Sequence, residues 1–489
     1  MTQTSDIVAK LWNLCHVLRD GGISYQQYVT ELTLLLFLKM DKEVATSRPD
    51  RKERIPKGCR WDDLLALPPG GEQLDSYKEM LLKLGRAQDP LVRAIYSGAQ
   101  TSMREARHLN RLVLDIDGLD WFSAKADGLG DMYEGLLEKN AGETKSGAGQ
   151  YFTPRPLIDA IVDVIKPQSG EVIQDPAAGT AGFLIAADAY IKKHTDDLFK
   201  LGEKQQEFQK RDAYVGVELV PETRRLALMN CMLHDIGGAG GGAVHLGDTL
   251  TSDGAKLPKA NLILSNPPFG TKKGAGGGSR DDLTFPTSNK QLMFLQHIYR
   301  ALVPGGRAAV VLPDNVLFEE GRGREIRNDL MHKCDLHSIL RLPTGIFSAQ
   351  GVKTNVLFFT RGATDKGNTK KVWVYDLRTN APAFGKRTLF TREYLEPFVS
   401  SYGADPNGKS KRHDEGDTGR FRAFTRDEIA KRNENLDLAW LKDDDAHDEN
   451  DLGEPEEIAA EIRVELQGAL EDLSVLEELL GSATADGAT

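Results

Sequence analysis

The chain has 489 residues, 40% of them hydrophobic and 28% charged, which is the composition of an ordinary soluble protein with two or three domains. Its most apolar early stretch, residues 32–40, is too short to span a bilayer and contains Lys39, and no basic segment precedes a long apolar run. These features argue against export and against a membrane protein.

The cysteines are few and widely spaced. They are Cys15, Cys59, Cys231 and Cys334, and they form no Cys-x-x-Cys pair. This spacing indicates neither a zinc site nor a disulfide framework. We therefore expect reduced thiols, a cytoplasmic location and no bound metal.

The net charge of −11 is concentrated near the carboxyl terminus. Residues 441–489 hold 16 acidic and two basic residues, so residues 1–440 carry 60 basic against 57 acidic side chains. A nearly neutral body permits contact with DNA but does not predict it.

Residues 1–143 are predicted to form a helical domain, because apolar residues recur there at helical spacing. Ser24 and Gln27 make a capping-box pattern ahead of the first long helix. The predicted helices cover residues 25–42, 76–84, 90–97 and 130–140. No residues suited to catalysis stand out in this region.

From residue 144 to residue 400, short apolar strands alternate with helices, which is typical of an α/β domain with a doubly wound, mostly parallel sheet. The predicted strands are 171–175, 213–218, 243–248, 261–265, 307–312, 338–342, 355–359 and 372–375. The predicted helices are 157–165, 181–194, 221–234 and 289–302. Ligands of such sheets bind at the carboxyl ends of strands, so we expect the functional site there.

Asn266-Pro267-Pro268-Phe269 follows the fourth predicted strand and is the candidate catalytic motif. The Asn266 side-chain oxygen and the Pro267 carbonyl can both accept hydrogen bonds from an exocyclic amine, which favours a reactive, pyramidal nitrogen. The prolines stiffen the turn, and Phe269 can stack on a base taken out of its duplex. The alternative is an ordinary strand-ending turn with Phe269 in the core.

Three other strand ends carry residues that suit a nucleoside. The first turn is rich in glycine and contains Asp175, Gly179, Thr180, Ala181 and Gly182. Such a turn lets a ligand approach the backbone. Glu218 ends the second strand and can accept from two ribose hydroxyls, and Asp248 after the third strand can accept from an adenine amine. Each acid alone would fit a turn or helix cap, but together the residues line one edge of the sheet.

The segment between the helical and α/β regions is a second candidate for ligand contact. After the flexible residues 145–149 it consists of Gln150, Tyr151, Phe152, Thr153, Pro154 and Arg155. Thr153 is a candidate N-cap with Pro154 at the first helical position. The segment either closes over a ligand or is an ordinary helix start. The glycine-rich residues 270–278 likewise either close on a substrate or cross the surface.

Residues 401–455 are predicted to be a linker and loop region, and residues 456–489 are predicted to contain a terminal helix. Six apolar residues in that helix follow alternating four- and three-residue steps: Ile462, Leu466, Ala469, Leu473, Leu476 and Leu480. This stripe is typical of a coiled-coil seam, which packs either on its own chain or on a partner. We expect it to dock on a partner.

Together these motifs resemble those of the adenine-N6 DNA methyltransferases, and in particular of the modification subunits of type I restriction-modification enzymes. The order of the motifs, with the Phe-containing segment first and residues 266–269 last, is similar to the gamma arrangement of amino-methyltransferases. Residues 341–347 and 351–358 resemble later segments of the same family.

The resemblance implies transfer of a methyl group from S-adenosylmethionine to N6 of adenine in double-stranded DNA. It assigns catalysis to residues 266–269, and cofactor binding to residues 150–155, to the glycine-rich turn, to Glu218 and to Asp248. It also implies a specificity subunit that reads the target sequence, a second copy of this chain and, in some complexes, a restriction subunit. One departure is Ala181, where many relatives have glycine; its methyl group is accommodated if the residue is helical.

Two other functions fit the same motifs. An enzyme with this core could methylate a glutamine amide in a protein or a base in RNA, although protein-glutamine enzymes tend to carry Tyr where Phe269 stands. A non-catalytic scaffold could bind the cofactor and only support a specificity partner.

Overall fold

The computed structural model describes residues 3–14, 25–47, 52–119, 121, 130, 133–138, 152–238, 240–269, 280–347, 352–385 and 388–442. Several predictions concern residues outside these ranges: the terminal helix and its apolar seam, residues 145–149, Gln150, Tyr151, Ser24 and the glycine-rich residues 270–278.

The amino-terminal region is helical, as its apolar spacing predicts. Its helices are α1 Gln3–Asn13, α2 Tyr25–Ser47, α3 Trp61–Leu65, α4 Gly71–Leu84, α5 Pro90–Tyr96 and α6 Ala106–Asp117, and residues 133–138 are also helical. Helix α5 begins where Asp89 accepts hydrogen bonds from the amides of Leu91 and Val92, with Pro90 at the first helical position. Helix α6 buries residues at steps of three and four, so it presents one apolar stripe to the core.

The second region is built on one sheet. Its strands are β1 Ile173–Asp175, β2 Tyr214–Glu218, β3 Val244–Leu246, β4 Ala260–Ser265, β5 Leu302–Pro313, β6 Cys334–Arg341, β7 Thr354–Arg361, β8 Lys371–Asp376 and β9 Phe421–Thr425. They lie in the order β3-β2-β1-β4-β5-β7-β6-β8-β9. The first five pair in parallel, β7 is antiparallel to β5 and β6, β8 is parallel to β6, and β9 is antiparallel to β8. The predicted doubly wound α/β fold is confirmed, with five parallel strands in the first part of the sheet and mixed pairing in the rest.

Helices connect these strands and cover the sheet. They are α7 Arg155–Ile165, α8 Gly182–His194, α9 Glu203–Arg211, α10 Pro221–Leu233, α11 Ser252–Ala255, α12 Lys290–Ala301, α13 Asn315–Phe318, α14 Arg322–Lys333, α15 Glu396–Tyr402 and α16 Arg426–Lys431. Helix α9 lies between α8 and β2, where the sequence analysis predicts no helix. Among the helices of the described residues, none combines the length and apolar character that a membrane span requires.

The sheet continues past residue 400. Residues 403–420 contain neither helix nor strand, but β9 then pairs with β8, from Lys371 opposite Thr425 to Tyr375 opposite Phe421. Phe421 is buried and stacks on Trp373, with ring centroids 4.9 Å apart. The segment predicted as a linker and loop region therefore contributes an edge strand to the sheet.

The helical region and the sheet share one continuous apolar core. Arg225 of α10 joins them: its Nε donates to the Ile95 carbonyl at 2.5 Å and its Nη2 to the Ser97 carbonyl at 3.3 Å. These carbonyls lie at the carboxyl-terminal end of α5, where a cation is favoured. Helix α10 follows Glu218 directly, so the helical region is fixed close to one side of the predicted site.

Candidate active site

Four turns meet at one edge of the sheet because β3, β2, β1 and β4 are parallel neighbours. Parallel neighbouring strands end at the same edge, so the residues that follow β1, β2, β3 and β4 are brought together. These are the turns that the sequence singled out. Direct hydrogen bonds join each of them to at least one other.

The catalytic turn begins where β4 ends at Ser265. Asn266 is 7% exposed, and its side-chain Nδ2 donates to the Thr153 hydroxyl oxygen at 3.0 Å. This bond uses the NH2 side of the amide and orients the side chain, so the amide oxygen is the atom suited to accept from a ligand. Pro267 is buried, and Pro268 and Phe269 are half-buried. The turn therefore combines a fixed amide with a partly accessible ring.

The prediction that Thr153 caps a helix is wrong. Helix α7 begins at Arg155, and Pro154 occupies the N-cap position without a side-chain cap. The Thr153 hydroxyl is used instead to accept from Asn266, 113 residues later in the chain. The segment predicted to close over the cofactor thus orients Asn266, the candidate catalytic asparagine.

Asp175 connects the turn after β1 to the catalytic strand. Its Oδ1 accepts from the Ser265 hydroxyl at 2.8 Å and from the Ala177 amide at 3.0 Å. Burial raises the pKa of Asp175 to about 7, because little solvent stabilises the charged carboxylate. Its partner Ser265 directly precedes Asn266, so this carboxyl group joins the turn after β1 to the turn after β4.

The glycine-rich turn is open where a ligand would approach the backbone. Gly179 has φ +54°, and a Cβ there would meet no atom within 4 Å. Its amide donates to Glu218 Oε2 at 3.0 Å, and the Thr180 carbonyl accepts from Asn230 Nδ2 at 3.0 Å. Gly182 starts α8 close against Ile158 of α7, since a Cβ at Gly182 would lie 3.1 Å from the Ile158 Cδ1. The turn is therefore held from both sides while its tip stays accessible.

Ala181 is not helical. It precedes α8 as the N-cap residue, with φ 68° and ψ 21°, in the left-handed region that costs a non-glycine residue about 1 kcal/mol or more. The sequence-based expectation that a helical conformation accommodates the methyl group is therefore wrong. The fully buried side chain sits in a conformation that favours glycine, which gives a physical reason for glycine at this position in relatives.

Glu218 ends β2 and faces the glycine-rich turn. Its Oε2 accepts from the Gly179 amide at 3.0 Å and its Oε1 from the Val220 amide at 2.8 Å. A carboxylate has about four acceptor positions, so acceptor capacity remains for a ribose hydroxyl. Burial raises the pKa of Glu218, while these amides lower it. Leu219 beside it is 62% exposed and provides apolar surface for a planar ring. The residues present fit a nucleoside.

Asp248 lies in the turn after β3. Its Oδ1 accepts from the Leu250 amide at 2.8 Å, so the carboxylate both shapes the turn and keeps acceptor capacity. The neighbouring Thr249 donates from its hydroxyl to the Pro176 carbonyl at 2.6 Å. This bond ties the turn after β3 to the turn after β1.

The residues of segment 152–155 differ in their surroundings. Phe152 and Pro154 are half-buried, whereas Arg155 is engaged elsewhere. Its Nη1 donates to both carboxylate oxygens of Glu134, at 2.8 and 2.7 Å, and its Nε donates to Asp159 at 3.0 Å. Arg155 therefore joins α7 to the helical region.

Sequence reasoning missed several residues that assemble this edge, namely Ser265, Thr249, Leu219, Asn230 and Arg280. Ser265 and Leu219 each stand next to a predicted site residue, and that adjacency was a usable signal. Arg280 has no such local signal, since only the fold brings it to Thr249. In the described residues, no group of three or more His, Cys, Asp or Glu side chains is arranged to hold a metal ion.

Comparison with known proteins identifies the family. The family model described as N-6 DNA Methylase matches residues 124–449. The chain is 53% identical to the methylase subunit of the type I restriction enzyme EcoKI from Escherichia coli strain K12, over 98% of this chain and 96% of that protein. The chain belongs to the N-6 DNA methylase family. It is also 53% identical to the methylase subunit of the type I restriction enzyme StySPI from Salmonella potsdam, with the same coverage.

Solved structures agree with this family. The crystal structure of the EcoKI M protein matches with a TM-score of 0.58 and 49% identity, over 97% of this chain and 96% of that one. A modification subunit of a type I restriction enzyme from Vibrio vulnificus matches with a TM-score of 0.69 over 88% of this chain and 94% of that one, and at 23% identity it supports the fold alone. As a member of the N-6 DNA methylase family, the chain is a methyltransferase that uses S-adenosylmethionine as methyl donor.

Proposed function

We propose that this chain methylates N6 of adenine in double-stranded DNA as the modification subunit of a type I restriction-modification complex. The observation that carries the proposal is the bond between Ser265 and Asp175, 2.8 Å long, which joins the catalytic turn to the glycine-rich turn. A methyl donor held in the glycine-rich turn after β1 is then next to an amine held in the turn after β4. Reactant positioning of this kind supplies much of the rate in such reactions.

We assign the recognition of the amine to the catalytic turn. The Asn266 amide oxygen and the Pro267 carbonyl accept from the two N–H groups of the adenine amine, and Phe269 stacks on the everted base. Both acceptors favour the positive charge that develops on the nitrogen. Thr153 acts as a positioning residue, because its hydroxyl accepts from Asn266 Nδ2 and not from the substrate.

We assign the binding of the methyl donor to the other three turns. Glu218 accepts from the ribose hydroxyls, Asp248 accepts from the adenine amine of the donor, and the glycine-rich turn lets the donor approach the backbone. When bound, S-adenosylmethionine supplies a methyl group on a sulfonium sulfur. The sulfur is the leaving group, and no covalent enzyme intermediate is needed. We assign Asp175 a positioning role, since its buried carboxylate faces Ser265 and the Ala177 amide.

The target sequence is proposed to be read by a separate specificity subunit, with a second copy of this chain and in some complexes a restriction subunit. The nearly neutral body of residues 1–440 supports this division, because an independent DNA reader usually carries a clear excess of basic residues and this body has 60 basic against 57 acidic. We place the complex in the cytoplasm. The apolar stripe of residues 462–480, which lies outside the described residues, is proposed to dock on a partner subunit.

The experiment that tests this function uses the chain assembled with its specificity subunit. The complex is incubated with S-adenosylmethionine and double-stranded DNA, and the DNA is digested to nucleosides for mass spectrometry. We expect N6-methyladenine. Methylation of a protein glutamine or of RNA without methylation of DNA would support the rival enzyme, and cofactor binding without any transfer would support the scaffold.

A further inference from the structure

Arg280 is a buried arginine at the edge of the site that the proposed mechanism does not use. It is the first described residue after the segment that follows the catalytic motif. Its side chain is 3% exposed. Nη1 donates to the Thr249 carbonyl at 2.6 Å, and Nε and Nη2 donate to the two carboxylate oxygens of Asp282 at 2.6 and 2.8 Å. A guanidinium that is so buried and so fully bonded has a fixed position.

Two neighbouring residues make room for this guanidinium and contact it. His297 of α12 lies with its Nδ1 3.2 Å from Nη1, and burial together with the charge of Arg280 lowers the pKa of His297 to about 3. The ring is therefore neutral at physiological pH, and its Nδ1 can accept from Arg280. Gly254 of α11 leaves the remaining space: a Cβ there would lie 2.0 Å from the Thr249 carbonyl oxygen and 2.5 Å from Nη1 of Arg280.

The contacts of Arg280 are part of a chain of hydrogen bonds that connects three turns of the site. At the start of the segment 265–280, the Ser265 hydroxyl donates to Asp175 at 2.8 Å. At its end, Arg280 donates to the Thr249 carbonyl, and the Thr249 hydroxyl donates to the carbonyl of Pro176, the residue after Asp175. Arg280 and Ser265 are thus both bonded to the turns assigned to the methyl donor, Arg280 through Thr249 and Ser265 through Asp175.

We propose that Arg280 is a positioning residue that holds Thr249, and with it the turn assigned to the donor adenine, against the turn of Pro176 and Asp175 that bonds to Ser265 beside the catalytic motif. The inference rests on the proposed function and adds a residue to it. Without the arginine, the Thr249 carbonyl loses its donor, and the turn with Asp248 is held less firmly against the turn of Pro176 and Asp175. Both donor affinity and turnover then fall together.

The test compares three single variants in the assembled complex, each assayed well below its own unfolding temperature. For Arg280→Gln we expect the KM for S-adenosylmethionine to rise about tenfold and kcat to fall about tenfold. Arg280→Lys keeps one donor for the Thr249 carbonyl and recovers part of both losses. Arg211→Gln is the matched control: it makes the same substitution at an arginine of α9 that is 59% exposed and pairs with Glu207 at the surface, so both constants change less than twofold.

A double variant separates positioning from general destabilisation. Gly254→Ala crowds the same contact, since its Cβ would meet both the Thr249 carbonyl oxygen and Nη1 of Arg280, so Arg280→Gln combined with Gly254→Ala is expected to match the worse single variant within twofold. Effects that multiply, or a normal kcat and KM for Arg280→Gln with only a lowered unfolding temperature, would overturn the inference.

Failure of the proposed function is recognised separately. If the wild-type complex transfers no methyl group to DNA, the proposed function fails, and Arg280 is then judged by calorimetry with S-adenosylmethionine alone. A dissociation constant about tenfold higher for Arg280→Gln and unchanged for Arg211→Gln supports the coupling to the donor turn; equal constants for the wild type and both variants refute it.

Discussion

At the residue scale, the catalytic turn depends on side chains whose hydrogen bonds face inward. Asn266 and Ser265 are neighbours at the end of β4, and each bonds to a different element: Asn266 to Thr153, and Ser265 to Asp175. One strand end therefore brings together the segment before α7 and the turn after β1. Precise placement of this kind matters because a small misplacement of a reacting group can cost about a hundredfold in rate.

Substitution of Glu218 tests the assignment of the donor site. Glu218→Gln keeps the shape but replaces one acceptor oxygen with an NH2 group, next to amides of Gly179 and Val220 that already donate there. We expect the dissociation constant for S-adenosylmethionine to rise about tenfold to a hundredfold, as calorimetry would measure, because a charge-assisted hydrogen bond contributes about 1.5–3 kcal/mol. Glu207→Gln on exposed α9 is the control, and an equal loss in both variants would contradict the assignment.

Substitution of Asp175 tests the effect of its buried carboxyl group on stability. The folded-state pKa of about 7 lies above the ordinary value of 3.8, so the folded protein holds the proton more tightly than the unfolded chain. Stability is therefore lost as the pH rises from about 4 towards about 7. Asp175→Asn keeps an oxygen that accepts from Ser265 and Ala177 but has no proton to lose.

Between pH 5 and pH 8 we expect the free energy of unfolding of the wild type to fall by about 2–3 kcal/mol relative to that of Asp175→Asn. One unit of pKa corresponds to about 1.4 kcal/mol. Urea unfolding of both proteins at the two pH values measures this difference. A difference that stays constant with pH, or that changes in the opposite direction, would show that Asp175 is ionised in the folded state.

Residues of the site could be predicted from sequence where chemistry and position coincide. Asn266, Glu218 and Asp248 are polar residues that directly follow apolar strands, and the fold places them together. The roles of Thr153 and Ala181 could not be predicted, because they depend on a contact across 113 residues and on a left-handed backbone angle. A sequence records neither of these quantities locally.

At the element scale, strands were predicted where several consecutive apolar residues are buried on both faces of the sheet. Strand β4 is an example, with all but one of its residues buried. Strand β9 was missed because it is a half-buried edge strand with a single fully buried residue, Phe421. Helix α14 was missed for a similar reason: it is mostly polar, and its buried face includes Arg327. Elements held by tertiary contacts give weak periodic signals.

Helix α10 provides a prediction at this scale. Arg225→Met keeps much of the buried side-chain volume but leaves the carbonyls of Ile95 and Ser97 without their donor. We expect the free energy of unfolding to fall by about 1–3 kcal/mol, the cost of leaving buried polar groups unsatisfied. Thermal or urea unfolding measures the loss.

The exposed Arg211 on α9 serves as the control for this prediction, since its side chain is 59% exposed and pairs only with Glu207 at the surface. Arg211→Met is expected to change stability by less than about 0.5 kcal/mol. Equal stabilities for Arg225→Met and the wild type would mean that the helical region is not held by this contact.

At the scale of the whole molecule, the excess acidic charge and the apolar stripe of residues 462–480 both lie in the carboxyl-terminal part of the sequence, after the α/β region. Residues 441–489 carry 16 acidic and two basic residues, whereas residues 1–440 are almost neutral. We predict that a chain ending at residue 455 still binds S-adenosylmethionine but binds the specificity subunit at least tenfold more weakly, because the apolar stripe is lost. Size-exclusion chromatography and calorimetry with the purified subunit measure both properties; unchanged assembly would assign docking to another surface.

The central claim is that one edge of the sheet brings the donor and the target amine together through Asn266. The most direct measurement is the rate of N6-methyladenine formation by the assembled complex carrying Asn266→Ala, compared with Asn289→Ala, which removes an ordinary helix cap at the start of α12. We predict a loss of about a hundredfold to a thousandfold in kcat for Asn266→Ala, with donor binding retained, and a nearly normal rate for Asn289→Ala. A nearly normal rate of transfer with Asn266→Ala would contradict the account.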